Sequence, residues 1–206
     1  RQPVGDWLRL SYGARYDRQE FTGVDGSEHD DSGVSANLSG EIFLNEYVSI
    51  NAGYSDVWGG VALAENFILN GAWVYDDIKP VESSNYTAGL RAQAAGFFGE
   101  VNIYETRIEN GRTPSWGGGP DQFADFDIEG YDVAVGYLNE RGELSVKYSD
   151  IQSEKDGEET TSYDGNYFTV PLGQIITFSG ALAFPSVNAD IGMNAEFALE
   201  NEVDGS

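Results

Sequence analysis

The chain has 206 residues, no cysteine, one histidine and a formal charge of -24, from 35 acidic against 11 basic residues. That charge excludes nucleic acid as a partner, because phosphate-backbone binding rests on Lys and Arg displacing counterions, and the missing thiols exclude a disulfide framework, a thiolate metal centre and a cysteine nucleophile. With 40% hydrophobic and 13% aromatic residues the chain carries enough apolar side chain to bury surface. No apolar run approaches the ~18 residues of a membrane helix, so a chain like this meets a membrane only as strands.

In chain order, the elements all show a period of two. Residues 7–17 set Leu8, Leu10, Tyr12, Ala14 and Tyr16 against Arg9, Ser11, Gly13, Arg15 and Asp17; residues 34–44 set Val34, Ala36, Leu38, Ile42 and Leu44 against Ser35, Asn37, Ser39 and Glu41. In 46–60, Val48, Ile50, Ala52 and Tyr54 oppose Ser49, Asn51, Gly53 and Ser55. The same alternation follows at 85–94, 97–107, 130–138, 143–151, 174–184 and 187–199. About nine strands result, each near the ~9–11 residues that a tilted strand needs to cross a bilayer. A soluble sandwich and a membrane barrel both alternate; they differ in whether the apolar set meets a core or lipid.

The connections separate the two. Asn45-Glu46, Ala95-Gly96, 139–142 and Pro185-Ser186 are tight turns, whereas 18–33, 58–84, 108–129 and 152–173 are long and acidic. Strict alternation of short turns with long loops is the habit of outer-membrane barrels, and it leaves the apolar faces nearly free of charge, as hydrocarbon requires. Aromatic residues such as Tyr47, Tyr54, Tyr137, Tyr148 and Phe184 near strand ends fit interfacial belts. An odd number of antiparallel strands cannot close, so further strands are expected before Arg1 and after Ser206; the opening "RQPVGDW", which lacks the apolar core of a signal peptide, agrees.

The stretch "IKPVESSNYTAGLR", residues 78–91, resembles the barrel signature of TonB-dependent outer-membrane receptors, with Lys79, Pro80, Ser83, Asn85, Tyr86, Gly89 and Leu90 at matching positions. Val81 and Thr87 stand where that family usually carries acids. The preceding "AGYSDVWGGVALAENFILN", residues 52–70, is similar to the segment that comes before this signature, with Gly-Val-Ala replacing Arg-Ala-Pro. The resemblance implies an all-β, up-and-down transmembrane barrel of about 22 strands, of which residues 1–206 supply about nine, in the bacterial outer membrane. It further implies a non-enzymatic receptor that takes up a scarce small molecule, most often a ferric siderophore, with the TonB complex acting through an amino-terminal plug. A passive porin-like channel and a soluble glycan-binding β-sandwich are the alternatives.

Candidate ligand contacts are the aromatic residues Trp58, Trp73 and Tyr75 of loop 58–84 and Arg112, Trp116 and Phe123 of loop 108–129, since Trp, Tyr and Arg concentrate at binding hot spots. These rings either form a ligand vestibule or pack the loops together. Arg9, Arg15 and Arg91 fall on the polar, lumen-facing sides of their strands, where they steer an anionic chelate or pair with carboxylates such as Glu41, Glu100, Asp190 and Glu196. His29, in "DGSEHDD", is a solvated residue or a haem ligand. The acid clusters lack a calcium-loop spacing, and no catalytic residue, resident metal or cofactor is expected.

Overall fold

The computed structural model describes residues 2–22, 26, 28–61, 78–113, 122–160, 173–184, 186 and 189–199. They form a single antiparallel sheet of strands β1 (Gln2–Val4), β2 (Leu8–Thr22), β3 (Glu28–Phe43), β4 (Val48–Gly60), β5 (Val81–Ala94), β6 (Phe97–Thr113), β7 (Gln122–Asn139), β8 (Gly142–Lys155), β9 (Glu158–Glu159), β10 (Gly173–Phe184) and β11 (Ala189–Ala198). Spatial order follows chain order from β1 to β8 and on to β10 and β11, with the two-residue β9 paired to β8 alone. This is an up-and-down meander, open along β1 and β11, and its long strands are those the alternation predicts.

Strand pairing reaches further into the long connections than expected. Within 18–33, β2 and β3 stay paired to Thr22–Glu28; within 108–129, β6 and β7 are paired as far as Thr113–Gln122; and β8 runs to Lys155, then turns through Asp156-Gly157 into β9. Beyond the apolar band the outer face of β2 and β3 turns polar, with Arg18, Glu20, Asp30 and Ser32, while apolar side chains appear on the inner face, so the hydropathy period fades there while the backbone ladder, which does not depend on side-chain polarity, continues.

The tight turns have local causes. Ala95 and Gly96 both take positive φ, 49° and 86°, as a two-residue type I′ hairpin requires, and Asp156 and Gly157 repeat this at 53° and 79°. Elsewhere a side chain does the work: Asn45 Oδ1 accepts from the backbone N–H of Tyr47 and Val48 at 2.8 and 3.0 Å, and Asn139 Oδ1 accepts from Arg141 N–H at 2.8 Å.

The two faces differ in kind. One carries Tyr12, Tyr16, Leu38, Ile50, Tyr54, Leu90, Val101, Val135 and Phe178, all exposed. From Leu8 to Tyr16 is eight steps, roughly 27 Å along the strand, or about 20 Å of height at a barrel's usual tilt, near the ~25 Å apolar band of an outer-membrane wall. Tyrosines close the band on the long-connection side: Tyr54 and Tyr86 lie 4.7 Å apart between centroids and Tyr131 and Tyr148 6.0 Å. The Tyr54 hydroxyl donates to Asp56 at 3.0 Å, the first charged residue beyond the band on β4. On the turn side, Phe97 and Tyr137 pair at 4.7 Å. The other face is polar, with Ser39, Asn51, Thr87, Asn102 and Ser149 alternating with the apolar set. Among the described residues, one buried cluster, Ile108, Ala124 and Phe126 with Val81 and Ile128 against them, sits on the polar side at the long-connection end.

Candidate functional site

The polar face near the tight turns holds a charged strip. Arg9 Nη1 donates to Glu41 Oε2 at 2.8 Å and lies 5.0 Å from the centroid of Phe43; the other Glu41 oxygen accepts from Ser49 Oγ at 3.2 Å. Arg91 stacks over Phe98 at 5.8 Å and makes no ion pair among the described residues, although Glu100 is its register partner on β6. Arg9, Glu41, Asn51, Arg91, Glu100 and Asn102 line a groove of about 320 Å³. Arg15 pairs along its own strand with Asp17 at 2.5 Å, and Lys147 with Asp132 at 3.0 Å. Of the three arginines expected here, two are neutralised, Arg9 by the expected Glu41 and Arg15 by a different acid.

At the long-connection end the polar face becomes aromatic. Phe21 and His29 stack across the β2–β3 ladder at 4.7 Å and 10°. Trp58 is 6% exposed, its indole covering Gly33, where a Cβ would fall inside the ring. Its backbone N–H donates to Ser35 Oγ at 3.1 Å. Beside it, the Gln19 amide grips Val61. Across the sheet, Phe126 is 1% exposed and closes over Gly111; Asn110 N–H donates to Asp125 Oδ1 at 3.0 Å and Asp125 N–H to Asp156 Oδ1 at 3.0 Å, tying the tips of β6, β7 and β8 together.

The structure places some of the expected residues. Trp58 packs over Gly33, the packing alternative given for these rings. Phe123 is half-buried on β7, and the strand's alternation sets it on the face opposite Ala124 and Phe126, away from the polar side. Arg112 is its backbone partner on β6; the Arg112 side chain, Trp73, Tyr75 and Trp116 lie outside the described residues. Outside the apolar band, above Tyr16, Arg18 makes a bidentate pair with Asp30 at 2.8 and 2.5 Å. Hydrogen bonding to Arg18 holds the Asp30 carboxyl below its usual range, and the Arg18 guanidinium is raised in turn.

The family model "TonB dependent receptor-like, beta-barrel" matches residues 1–171. The chain belongs to the TonB-dependent receptor family. Relatives include the heme transporter BhuA of Brucella abortus and Brucella ovis, 24% identical over 196 residues, a stretch that is 92% of this chain and 29% of the relative. Among solved structures, the FrpB iron transporter of Neisseria meningitidis superposes with a TM-score of 0.64 at 18% identity over 94% of this chain and 30% of that one. The copper transporter OprC gives 0.69 at 16% over 88% and 30%, and the ferric-catecholate import receptor Fiu of E. coli K12 gives 0.60 at 16% over 86% and 30%. The chain thus spans under a third of these proteins' length.

As a receptor barrel wall, the sheet turns its apolar face to lipid and its polar face to the lumen. The signature in 78–91 then has structural reasons. Asn85 Nδ2 donates to Thr106 Oγ1 at 2.6 Å, fastening β5 to β6; Tyr86 belongs to the tyrosine belt; Leu90 faces lipid. Gly89 sits where the Asn51 and Asn102 side chains close over the strand, so a Cβ there would displace their amides. The signature residues build the wall, and their spacing carries no information about cargo.

Proposed function

We propose that the full-length protein is a bacterial outer-membrane receptor that imports an iron complex, with energy supplied by the TonB system through a plug inside the barrel. The family match over 1–171, on a sheet with one lipid-facing and one polar face, carries this reading. The cargo class is supported by the relatives named for haem and iron. Within that class two complexes are favoured by different residues. Haem is favoured by His29, stacked on Phe21 on the lumen face at the mouth, since imidazole suits iron. A ferric siderophore is favoured by the Trp73, Tyr75, Arg112 and Trp116 set, because Arg hydrogen-bonds an anionic chelate while Trp stacks on its rings.

Radiolabelled iron uptake in a strain lacking its other receptors tests the proposal, with iron given as haem or as a ferric catecholate. Uptake that survives deletion of TonB would return the protein to the porin reading. If haem is the cargo, His29→Ala lowers haem uptake and leaves the chelate arm flat; if a siderophore is, Trp116→Ala and Arg112→Ala lower chelate uptake at normal surface levels.

A further inference from the structure

The β3–β4 ladder stops at Ala36–Asp56, yet both strands run on: β3 to Glu28, paired on its other side with β2, and β4 to Gly60, still paired with β5. The wall therefore has a seam between β3 and β4 at its long-connection end. β4 crosses this seam inward. Val61, at the end of β4, is held by β2, two strands away: Gln19 Nε2 donates to the Val61 carbonyl at 3.0 Å, and Val61 N–H donates to Gln19 Oε1 at 2.8 Å. One amide thus serves both backbone groups as a neighbouring strand would. Trp58 fills the place of a side chain at Gly33, and its backbone N–H is held by Ser35 Oγ. Gly59 and Gly60 follow, with Gly60 at φ +68° and the β4–β5 register shifting between Trp58 and Gly60, so the backbone is irregular and free of side chains where a hinge would lie.

We propose that Trp58–Val61 is a strap latched inside the receptor's mouth by Gln19, and that releasing the latch is the movement that opens this side of the mouth. The alternative seat is built into the same sheet: continuing the β3–β4 register beyond Ala36–Asp56 brings Gly59 opposite Gly33, two residues without side chains to obstruct pairing. Asp31–Ser35 of β3, which has no strand partner on that side among the described residues, then gains Val57–Val61 as its partner in exchange for the clasp hydrogen bonds. The strap holds one seat or the other, and the hydrogen bonds of Gln19, with that of Ser35, weigh between them.

The test uses the full-length receptor in intact cells carrying Val61→Cys, which keeps both backbone groups that Gln19 holds, and reads the rate of reaction with an impermeant maleimide. A cysteine at Glu158, exposed on β9, reports surface orientation and general loosening. Losing two hydrogen bonds predicts that Gln19→Ala speeds labelling at 61 about tenfold or more, with no change at 158 and with heat-modifiable migration retained. Gln19→Glu, which still accepts from Val61 N–H but no longer donates to its carbonyl, falls between. If Gln19→Ala fails to assemble, Ser35→Ala, which removes only the acceptor of Trp58 N–H, gives the same specific rise. A rise at 61 below about threefold, or an equal rise at 158, overturns the latch.

Discussion

Phe126→Ala tests where the packing energy of this wall resides. Phe126 is 1% exposed against Ile108, Ala124, Val81 and Ile128, with Gly111 beneath its ring, so truncation leaves a cavity that two hydrogen-bonded strands cannot collapse. Phe→Ala costs about 3–5 kcal/mol in full cores, and the low end is taken for a cluster at the edge of a sheet. A loss of ~3 kcal/mol is roughly a hundredfold fall in protection of the amides that open with the cluster. Hydrogen exchange on the full-length receptor in detergent, read from peptides covering 105–113 and 122–130, measures it. Val135→Ala is the contrast: Val135 is 58% exposed on the lipid face, detergent or lipid takes the vacated space, and protection should change by less than about threefold. Equal losses for the two variants, or an unchanged Phe126→Ala, would show that the outer ends of β6 and β7 are held by their ladder alone.

Charge placement is a second test: Val135→Arg, within the apolar band, costs about 2–4 kcal/mol and lowers the folded fraction on heat-modifiable gels, while Ser145→Arg, on the polar face of the neighbouring strand, does not. Orientation is a third: with the long connections outside, cysteines at Ser83 and Glu158 react with impermeant maleimide on intact cells, and one in the tight turn at Glu140 does not. The fourth concerns pH. The Asp30 carboxyl is held below its usual range by Arg18, so the stability it contributes is present above the unfolded carboxylate value and is lost as pH falls through the lowered one. A spin label at Glu28 therefore stays restricted through the ordinary carboxylate range and loosens only below it; in Arg18→Gln loosening begins within that range, and identical profiles would remove the pair from the hairpin's stability.

Face and order were legible in the sequence, because a membrane wall imposes both: the period of two survives wherever lipid lies on one side and water on the other, and each tight turn needs a residue such as Asn45 or Gly96 that tolerates it. Strand ends were not. Beyond Tyr16 the outer face is wet, so Arg18, Glu20 and Thr22 read as loop while they remain paired with Asp30 and its neighbours. The site was least legible where the chain leaves the period. Counting by twos from Ile50 through Tyr54 sends Trp58 toward the lipid side, and its aromatic, Gly-flanked setting reads as a ligand loop. The structure turns it the other way, over Gly33. The clue lay on another strand: a glycine inside an otherwise regular β3 marks a place where something approaches the backbone. Gly33 and Gly89 are such places, one filled by the Trp58 indole and the other by Asn51 and Asn102. In a wall whose large side chains mostly face lipid, the interior glycines report contacts between strands that alternation cannot, and Gly33 locates the one that closes the seam.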